Sequence, residues 1–373
     1  MTSRKVVIAT GIYPPDLGGP ATHAATLVRG LPEYGIRPVP LVFSPYLHLP
    51  RGLRHLWFLA RLVAAAGRKT VFYALDPVSV GLPVAIASLL TGRGFVLRIG
   101  GDYAWEQGVQ RFGVHDDLDR FQLEGQSPRV ELLRRVERWV AARAGMVVVP
   151  NRYLQSLVAG WGVPRSKTVI VPNSADLPEG IPATRELARA SLGVGGPLLV
   201  AMGRLVRWKG FEILVDVAAA LKPEFPELRL VILGSGPQGA ALGRRIRQCN
   251  LDGTIRLAGA ALRPQALTYL RAADAFVLNS AGEGMSHSIL EAMALGTPVI
   301  TSDTGGTSEL IEHGRTGWLV RHNDVGAFTR AIRELLRDPA GAARLAAAAN
   351  QAAGRFEAES MLKATAAALQ AIR

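Results

Sequence analysis

One short segment in the second half of the chain carries basic side chains suited to binding an anion. It reads Gly203-Arg-Leu-Val-Arg-Trp-Lys-Gly210 and follows a predicted strand, Leu198–Met202. Arginine holds phosphate oxygens bidentately, and lysine adds a compact positive charge. Because ligands of open parallel sheets bind beyond the carboxyl ends of the strands, we predict that Arg204 and Lys209 neutralise a diphosphate. The alternative is an ordinary basic surface turn.

A second segment, residues 282–298, supplies two carboxylates. Glu283 falls in a loop after a predicted strand, and Glu291 falls inside a helix for which Ser286 is the predicted N-cap. Carboxylates accept hydrogen bonds from paired hydroxyls such as those of ribose or a hexose, and the amides near Met285–His287 at the helix start favour an anion. We therefore predict that both carboxylates face one binding cleft. A capping pair on an ordinary helix is the alternative.

A glycine-rich turn near the N-terminus has related chemistry. The first predicted strand, Lys5–Thr10, is followed by Gly11-Ile-Tyr-Pro-Pro-Asp-Leu-Gly-Gly-Pro20 and then by a helix from Ala21. Gly18 and Gly19 let backbone N–H groups approach a ligand closely, and a helix start favours a phosphate. The turn lacks the dinucleotide-binding spacing G-x-G-x-x-G, so a flexible strand–helix connection stays the alternative.

The elements that must position these residues alternate between short apolar runs and amphipathic segments. Most of the runs are near-continuous in Val, Ile and Leu, which is typical of strands buried on both faces of a parallel sheet. Helical patterns such as Phe211–Leu221 and Ala327–Leu336 separate them, so we predict an α/β architecture. The predicted strands are Lys5–Thr10, Val39–Phe43, Val71–Leu75, Phe95–Ile99, Met146–Val149, Thr168–Val171, Leu198–Met202, Leu228–Leu233, Thr254–Leu257, Ala275–Leu278 and Val299–Ser302.

The alternation pauses between Val171 and Pro182, where three prolines interrupt it. We place the domain boundary there. The sequence thus predicts two Rossmann-like, doubly wound domains, residues 1–175 and 176–355, with a cleft between them. A terminal helix over residues 356–373 is predicted to pack back on the first domain.

Composition limits the class of protein. The 373 residues are 49% hydrophobic and 20% charged, which excludes a disordered chain, and the single Cys249 excludes an internal disulfide. The formal net charge of +13 comes mainly from arginine and favours phosphate-bearing partners. Nucleic acid is one such partner, but no basic motif interleaved with aromatic residues supports it. No apolar run has the length of a signal peptide or a membrane span, so we expect a cytoplasmic protein.

Taken together, these motifs resemble those of retaining glycosyltransferases of the GT-B fold, family 4, also called glycosyl transferases group 1. The resemblance covers nearly the whole chain. It implies transfer of a hexosyl unit from a UDP- or GDP-sugar to a glycan or lipid-linked acceptor in the synthesis of cell-envelope polysaccharide or glycolipid. The first domain would bind the acceptor and the second the donor. Its markers are Gly18-Gly19, Gly203–Gly210, Leu233-Gly-Ser-Gly-Pro237, Glu283-x7-Glu291-Ala-Met-Ala, Gly296-Thr-Pro-Val and Asp303-Thr-Gly-Gly-Thr-Ser-Glu309 with Gly314-x-Thr-Gly317.

The resemblance also implies roles by position. Arg204 and Lys209 would hold the donor diphosphate and stabilise it as it leaves, Glu291 would bind the ribose, and Glu283 would contact the hydroxyls of the transferred sugar. No cofactor is implied beyond the donor itself, and we do not expect a metal requirement. The backbone contacts would come from Gly284, Met285 and Ser286 beside the sugar, Gly18 and Gly19 at the phosphates, and Gly234 and Gly236 near the base.

One position departs from the family pattern. Members often carry a His after the fourth strand of the first domain, whereas this chain reads Arg98-Ile-Gly-Gly-Asp102-Tyr-Ala-Trp-Glu106. We predict that Asp102 acts on the acceptor side, and a capping aspartate is the alternative. Asp117 and Asp119 form a D-x-D pair, a metal-binding pattern in the other glycosyltransferase fold. Their loop does not end a donor-domain strand, so we expect no metal there.

Residues 48–69 mix basic and large apolar side chains, among them Arg51, Arg54, Leu53 and Trp57. This pattern is typical of a helix that lies at a lipid interface, and it predicts a peripheral contact with the inner face of the cell membrane. A helix with one face on the sheet is the alternative.

The activity also has an alternative, which is a sugar-nucleotide epimerase on the same fold. An epimerase needs no acceptor, so analysis of the product distinguishes it from a transferase.

Overall fold

The computed structural model describes residues 4–372, apart from the side chain of Arg51. The described chain forms two compact units: one runs up to Asn173 and includes the segment from Ala358 onward, and the other is Ser174–Glu357. The predicted boundary falls two residues later, after residue 175. The predictions above also cover Met1–Ser3, Arg373 and the side chain of Arg51, which lie outside the described part of the chain.

Each unit is built on a six-stranded parallel sheet. Each of the eleven predicted strands is present with ends displaced by at most three residues, which confirms the predicted α/β architecture of two doubly wound sheets. The strands are β1 (Arg4–Thr10), β2 (Ile36–Val42), β3 (Val71–Ala74), β4 (Phe95–Arg98), β5 (Met146–Val149), β6 (Thr168–Ile170), β7 (Leu198–Met202), β8 (Arg229–Leu233), β9 (Ile255–Gly259), β10 (Ala275–Leu278), β11 (Val299–Ser302) and β12 (Trp318–Val320).

Strand β12 is the one element of the sheets that sequence reasoning missed. It has three residues and pairs with β11 from Ile300↔Trp318 to Ser302↔Val320. So short a strand at the edge of a sheet is not recognisable from sequence, because an alternating pattern is read over about four to eight residues.

Helices cover both faces of each sheet. Gly19, not Ala21, opens the first helix, with Pro20 in its first turn, where the missing N–H of proline costs nothing. The helices are α1 (Gly19–Gly30), α2 (Arg51–Ala65), α3 (Gly81–Thr91), α4 (Tyr103–Arg111), α5 (Leu118–Leu123), α6 (Pro128–Arg143), α7 (Arg152–Gly160), α8 (Arg185–Leu192), α9 (Phe211–Leu221), α10 (Gly239–Gln248), α11 (Arg263–Ala272), α12 (His287–Ala294), α13 (Val325–Arg337), α14 (Pro339–Ala353) and α15 (Ala358–Ala371).

Two apolar layers sandwich the first sheet. On one face, α2, α3, α6 and α7 bury side chains such as Phe58 and Val84 against β3 and β4. On the other face, α1 and the terminal helix α15 pack on alternate residues of the same strands, with Leu27 and Leu369 fully buried. Gly30 lets α1 and α15 approach, since a Cβ there would meet Leu362.

The strand orders fix where each sheet can hold a ligand. The first sheet runs β2-β1-β3-β4-β5-β6 and the second β12-β11-β10-β7-β8-β9. The order reverses between β1 and β3 in the first sheet and between β7 and β10 in the second. Loops leave such a switch point in opposite directions, which opens a crevice at the carboxyl ends of the strands.

Candidate active site

Three of the predicted segments emerge from neighbouring strands of the second sheet. Residues 203–210 follow β7, residues 234–237 follow β8 and residues 279–286 follow β10. Because β10, β7 and β8 lie side by side, the carboxyl ends of these strands bring the segments together at the β7/β10 switch point. The structure thus brings together Lys209 and Glu283, which lie 74 residues apart in the chain.

Lys209 and Glu283 meet at this switch point. The Lys209 ammonium group donates a hydrogen bond to Oε1 of Glu283. The two side chains retain only 17% and 11% of their exposure. Solvent and salt screen the charges of so little exposed a pair only weakly. A charged ligand could therefore take the place of either side chain and interact strongly with the other.

A buried amide holds the two segments in register. Asn279, fully buried at the end of β10, donates from Nδ2 to the carbonyl of Gly210 at 3.3 Å and to Oδ1 of Asn323 at 2.8 Å. The amide of Ala281 also donates to the carbonyl of Trp208 at 2.6 Å. Gly210 has φ +56°, and a Cβ on it would come within 2.2 Å of the carbonyl oxygen of Asn279, so the turn that presents Lys209 requires glycine here.

The loop after β11 fixes the backbone of Glu283. The amide of Gly306 donates to the carbonyl of Glu283 at 2.8 Å. Gly305 has φ +58°, and a Cβ there would lie 2.3 Å from the same carbonyl oxygen. The Gly305-Gly306 pair of the sequence motif is therefore explained by close backbone approach to the acidic loop.

The turn after β8 packs on the basic segment. Gly234 has φ +137°, and a Cβ on it would lie 1.9 Å from the carbonyl oxygen of Gly203. A Cβ on Gly236 would lie 2.4 Å from the carbonyl oxygen of Leu205. These glycines let two strand-end turns touch backbone to backbone, and Arg204 projects exposed from the segment they support.

Glu291 is held by an arginine that sequence reasoning did not find. The carboxylate lies on α12 with 8% of the residue exposed, and it accepts a hydrogen bond from Nε of Arg263 at 2.9 Å. Burial raises the pKa of Glu291, and the charge of Arg263 opposes that rise. Arg263 also donates to the carbonyl of Asp176. Arg263 begins helix α11 soon after strand β9. A charged residue close after a strand is the same sequence signal that identified the other candidates.

Ser286 occupies the N-cap position of α12, as predicted. Its hydroxyl does not cap the helix and instead lies 3.0 Å from the hydroxyl of Ser288. Met285 and Ser286 are buried, while Gly284 is half-buried beside Glu283. The helix start therefore adjoins the carboxylate that pairs with Lys209.

The remaining predicted residues belong to the other compact unit. Gly18 is the N-cap of α1 with φ +132°, and Gly19 is the first residue of that helix. Their turn follows β1, which borders the switch point of the first sheet. The role of this turn in anion binding stays a prediction.

Asp102 requires a correction. It is 1% exposed and caps α4: Oδ1 accepts from the amide of Trp105 at 2.7 Å, and Oδ2 accepts from Nε2 of Gln122 at 2.8 Å. Burial raises the pKa of Asp102, and these hydrogen bonds oppose the rise. Burial and the neighbouring Asp102 also raise the pKa of Glu137 well above its usual range. The geometry favours the capping alternative over the predicted acceptor-side role.

The aspartates of the D-x-D pair also have structural partners. Asp117 caps α5 through the amide of Arg120 at 2.8 Å, and Asp119 accepts from the hydroxyl of Tyr153 at 2.7 Å. Across residues 4–372, no three His, Cys, Asp or Glu side chains cluster as metal ligands.

Comparison with known families covers almost the entire chain. A model described as a glycosyl transferase 4-like domain matches residues 5–174. A second model, glycosyl transferases group 1, matches residues 184–352. The chain belongs to the group 1 glycosyltransferases. The resemblance stated from the motifs is confirmed.

Several curated glycosyltransferases are similar to this chain. D-inositol 3-phosphate glycosyltransferase of Pseudarthrobacter chlorophenolicus is 34% identical over 54% of this chain and 50% of the relative. 2-Deoxystreptamine glucosyltransferase of Streptomyces kanamyceticus is 26% identical over 78% of this chain and 75% of the relative. The chain spans about half the length of the inositol phosphate relatives it matches.

Two solved structures share the fold of this group 1 glycosyltransferase. HepE of Anabaena, in complex with UDP and glucose, has a TM-score of 0.77 at 22% identity, with 98% of this chain and 99% of HepE covered. Sucrose-phosphate synthase of Thermosynechococcus elongatus has a TM-score of 0.79 at 21% identity, with 97% of each chain covered. At such low identity the likeness establishes a GT-B-like fold.

Proposed function

We propose that this protein is a retaining glycosyltransferase that moves a hexosyl unit from a nucleotide-diphosphate sugar to a glycan or lipid-linked acceptor. The observation that carries the proposal is the pairing of Lys209 with Glu283 at the β7/β10 switch point, next to the start of α12. Family membership supports sugar transfer, and the pairing supplies one group for a phosphate and one for sugar hydroxyls.

The proposed chemistry is electrostatic. Breaking the anomeric C–O bond leaves positive charge on the sugar and negative charge on the diphosphate. When the donor binds, Lys209 exchanges Glu283 for a phosphate oxygen, and Glu283 accepts hydrogen bonds from the sugar. Arg204, exposed on the same segment, adds a bidentate contact. Charges fixed in advance at the leaving group stabilise the transition state without reorganisation.

The nucleoside is proposed to bind at Glu291, whose carboxylate accepts hydrogen bonds from the ribose hydroxyls. Arg263 orients that carboxylate and opposes the rise in the pKa of Glu291 that burial causes. UDP is the donor nucleotide we favour over GDP, since HepE is described in complex with UDP-glucose. Gly234 and Gly236 shape the turn beside this site.

The acceptor is proposed to attack on the face from which the diphosphate departs, so the anomeric configuration is retained. A phosphate oxygen of the leaving group takes the acceptor proton, which removes the need for a dedicated base. The capping role of Asp102 agrees with such a reaction. Relatives named for inositol phosphate and for colanic acid biosynthesis favour a polyol or envelope glycan as acceptor.

Thermal shift with UDP, GDP and ADP tests the donor site. A nucleotide that binds only the folded state raises the melting temperature, and the preferred base raises it most. We expect Glu291→Ala to weaken UDP binding. We expect Lys209→Ala to lower turnover by about a hundredfold to a thousandfold, as for loss of one oxyanion donor. Arg245→Ala, on an exposed pair with Asp216 in the same unit, is the matched control.

Product analysis separates transfer from epimerisation. We expect a new glycoside whose anomeric coupling constant in proton NMR matches that of the donor. A changed sugar nucleotide formed without acceptor would favour the epimerase alternative. Unchanged kinetics in both Glu291→Ala and Lys209→Ala would contradict the site assignment.

A peripheral membrane contact is proposed through α2. Phe58 and Leu62 of this helix are fully buried, whereas Leu53, Leu56 and Trp57 are 58%, 63% and 54% exposed. The helix therefore has a second apolar face outside the core, and the basic residues of the segment suit anionic lipid. None of the helices in residues 4–372 is both long and apolar enough to cross a membrane.

Co-sedimentation with liposomes tests this contact. We expect binding to vesicles with anionic lipid at low salt and a loss of binding in Trp57→Glu. Leu123→Glu is the control, since Leu123 is 88% exposed on another helix of the same unit. Equal binding by both variants would contradict the assignment of α2.

A further inference from the structure

A buried arginine in the first unit has no negatively charged partner. Arg98 is the last residue of β4 and is 8% exposed. Its guanidinium donates to Oδ1 of Asn173, and no Asp or Glu of residues 4–372 forms an ion pair with it. A buried charge is costly unless it is paired, because the protein interior solvates it poorly. A neutral amide does not offset that charge.

Tyr73, the ionisable group whose charge would act on Arg98, does not supply the missing charge either. Tyr73 lies on the adjacent strand β3 and is fully buried. Burial raises the pKa of Tyr73 to about 12, against the opposing effect of Arg98. The phenol is therefore neutral at physiological pH. Its hydroxyl has no hydrogen-bond partner among the described residues, so the site also holds a spare donor.

Gly100, in the turn after Arg98, lies against the guanidinium. Gly100 is exposed, and a Cβ on it would lie 2.9 Å from Nη1 of Arg98. A side chain at this position would occupy the space through which a ligand reaches the guanidinium. Gly101 is different, since its Cβ would meet Oε1 of Glu106 instead.

The place of Arg98 in the sheet is that of a ligand-binding residue. It stands at the carboxyl end of β4, which neighbours β3 at the switch point of the first sheet. We propose that Arg98, beneath Gly100, binds a phosphoryl group of a substrate. Arginine suits this group because its planar fork donates two parallel hydrogen bonds to phosphate oxygens. Only the role of this phosphoryl group in sugar transfer rests on the proposed function; the binding of phosphate by Arg98 does not.

Inorganic phosphate is the probe, with binding to the full chain measured by calorimetry and by thermal shift. We expect wild-type protein to bind phosphate, and Arg98→Gln to bind it about tenfold to a hundredfold more weakly. Gly100→Ala should weaken binding as well, because the methyl group displaces the guanidinium at small cost to folding. Gly101→Ala and Arg245→Met, the latter on the exposed pair with Asp216, are the controls and should keep the wild-type affinity.

UDP binding to the same variants identifies the source of the phosphoryl group. If UDP affinity falls with phosphate affinity in Arg98→Gln, the group is the donor diphosphate; if UDP affinity is unchanged, it belongs to the acceptor. Wild-type phosphate affinity in both Arg98→Gln and Gly100→Ala overturns the proposal, and so does a wild-type protein that binds no phosphate. Absence of binding of UDP, GDP and ADP by the wild type contradicts the proposed function and leaves the phosphate result standing. If Arg98→Gln fails to fold, Gly100→Ala carries the test.

Discussion

Removal of Arg263 tests how the buried carboxyl group of Glu291 is stabilised in the interior. The two side chains are 24% and 11% exposed and are joined by a 2.9 Å hydrogen bond. Breaking a fully buried ion pair costs about 3–5 kcal/mol, and a hydrogen bond to a charged group contributes about 1.5–3 kcal/mol. Since some solvent reaches this pair, we expect Arg263→Met to cost about 2–3 kcal/mol at pH 8.

The loss should depend on pH with a definite sign. Burial raises the pKa of Glu291, so the folded state binds its proton more tightly than the unfolded state. The stability this group contributes is therefore present at low pH and falls as the pH rises through the folded pKa. Without Arg263 the pKa rises further, so the destabilisation should be large at pH 8 and small near pH 5.

Thermal melts between pH 5 and pH 8 measure this effect. For a unit of this size each kcal/mol lowers the melting temperature by about 2–4 °C, so the drop at pH 8 should be roughly 4–12 °C. Arg245→Met breaks the exposed pair with Asp216 and should cost below about 1 kcal/mol. The double variant Arg263→Met/Glu291→Gln should recover stability. A drop of equal size at both pH values, or no recovery in the double variant, would refute the reasoning.

Three further predictions concern the scaffold and are checked by denaturant unfolding at pH 7. Gly234→Ala should cost about 3 kcal/mol or more, because its Cβ would collide with the backbone of Gly203, while Gly253→Ala, in open space, should be tolerated. Glu137→Gln should change stability by less than about 1 kcal/mol, because burial and Asp102 raise the pKa of this carboxyl and so favour its protonated form; a larger loss would mean that it is ionised. Asp102→Asn should cost about 1–2 kcal/mol, because the new amide cannot accept the hydrogen bond from Gln122.

Motif position identified the basic and acidic segments, but not the reasons for their glycines. The resemblance places Gly234 and Gly236 near the donor base, and Gly305 belongs to one of its markers. In the structure all three permit close contact between backbones of different strand ends. Such contacts join residues that are distant in the chain. No local pattern encodes them, because glycine is compatible with either role.

The fold class followed from the sequence because strands buried on both faces must be apolar along their whole length. That pattern can be read from each segment alone, without knowing which strands lie beside it in the sheet. The placement of Lys209, Glu283 and Glu291 after strands or within the following helix was readable for the same reason.

Only the tertiary structure decided which charges have partners. It joined Lys209 to Glu283 and Arg263 to Glu291, buried Asp102 as a helix cap, and left Arg98 without a carboxylate among the described residues. Pairing depends on strand order and on burial, which arise from contacts between distant segments. The identity of a charged residue therefore predicts its chemistry, whereas its partner, and hence its function, depends on the assembled sheet.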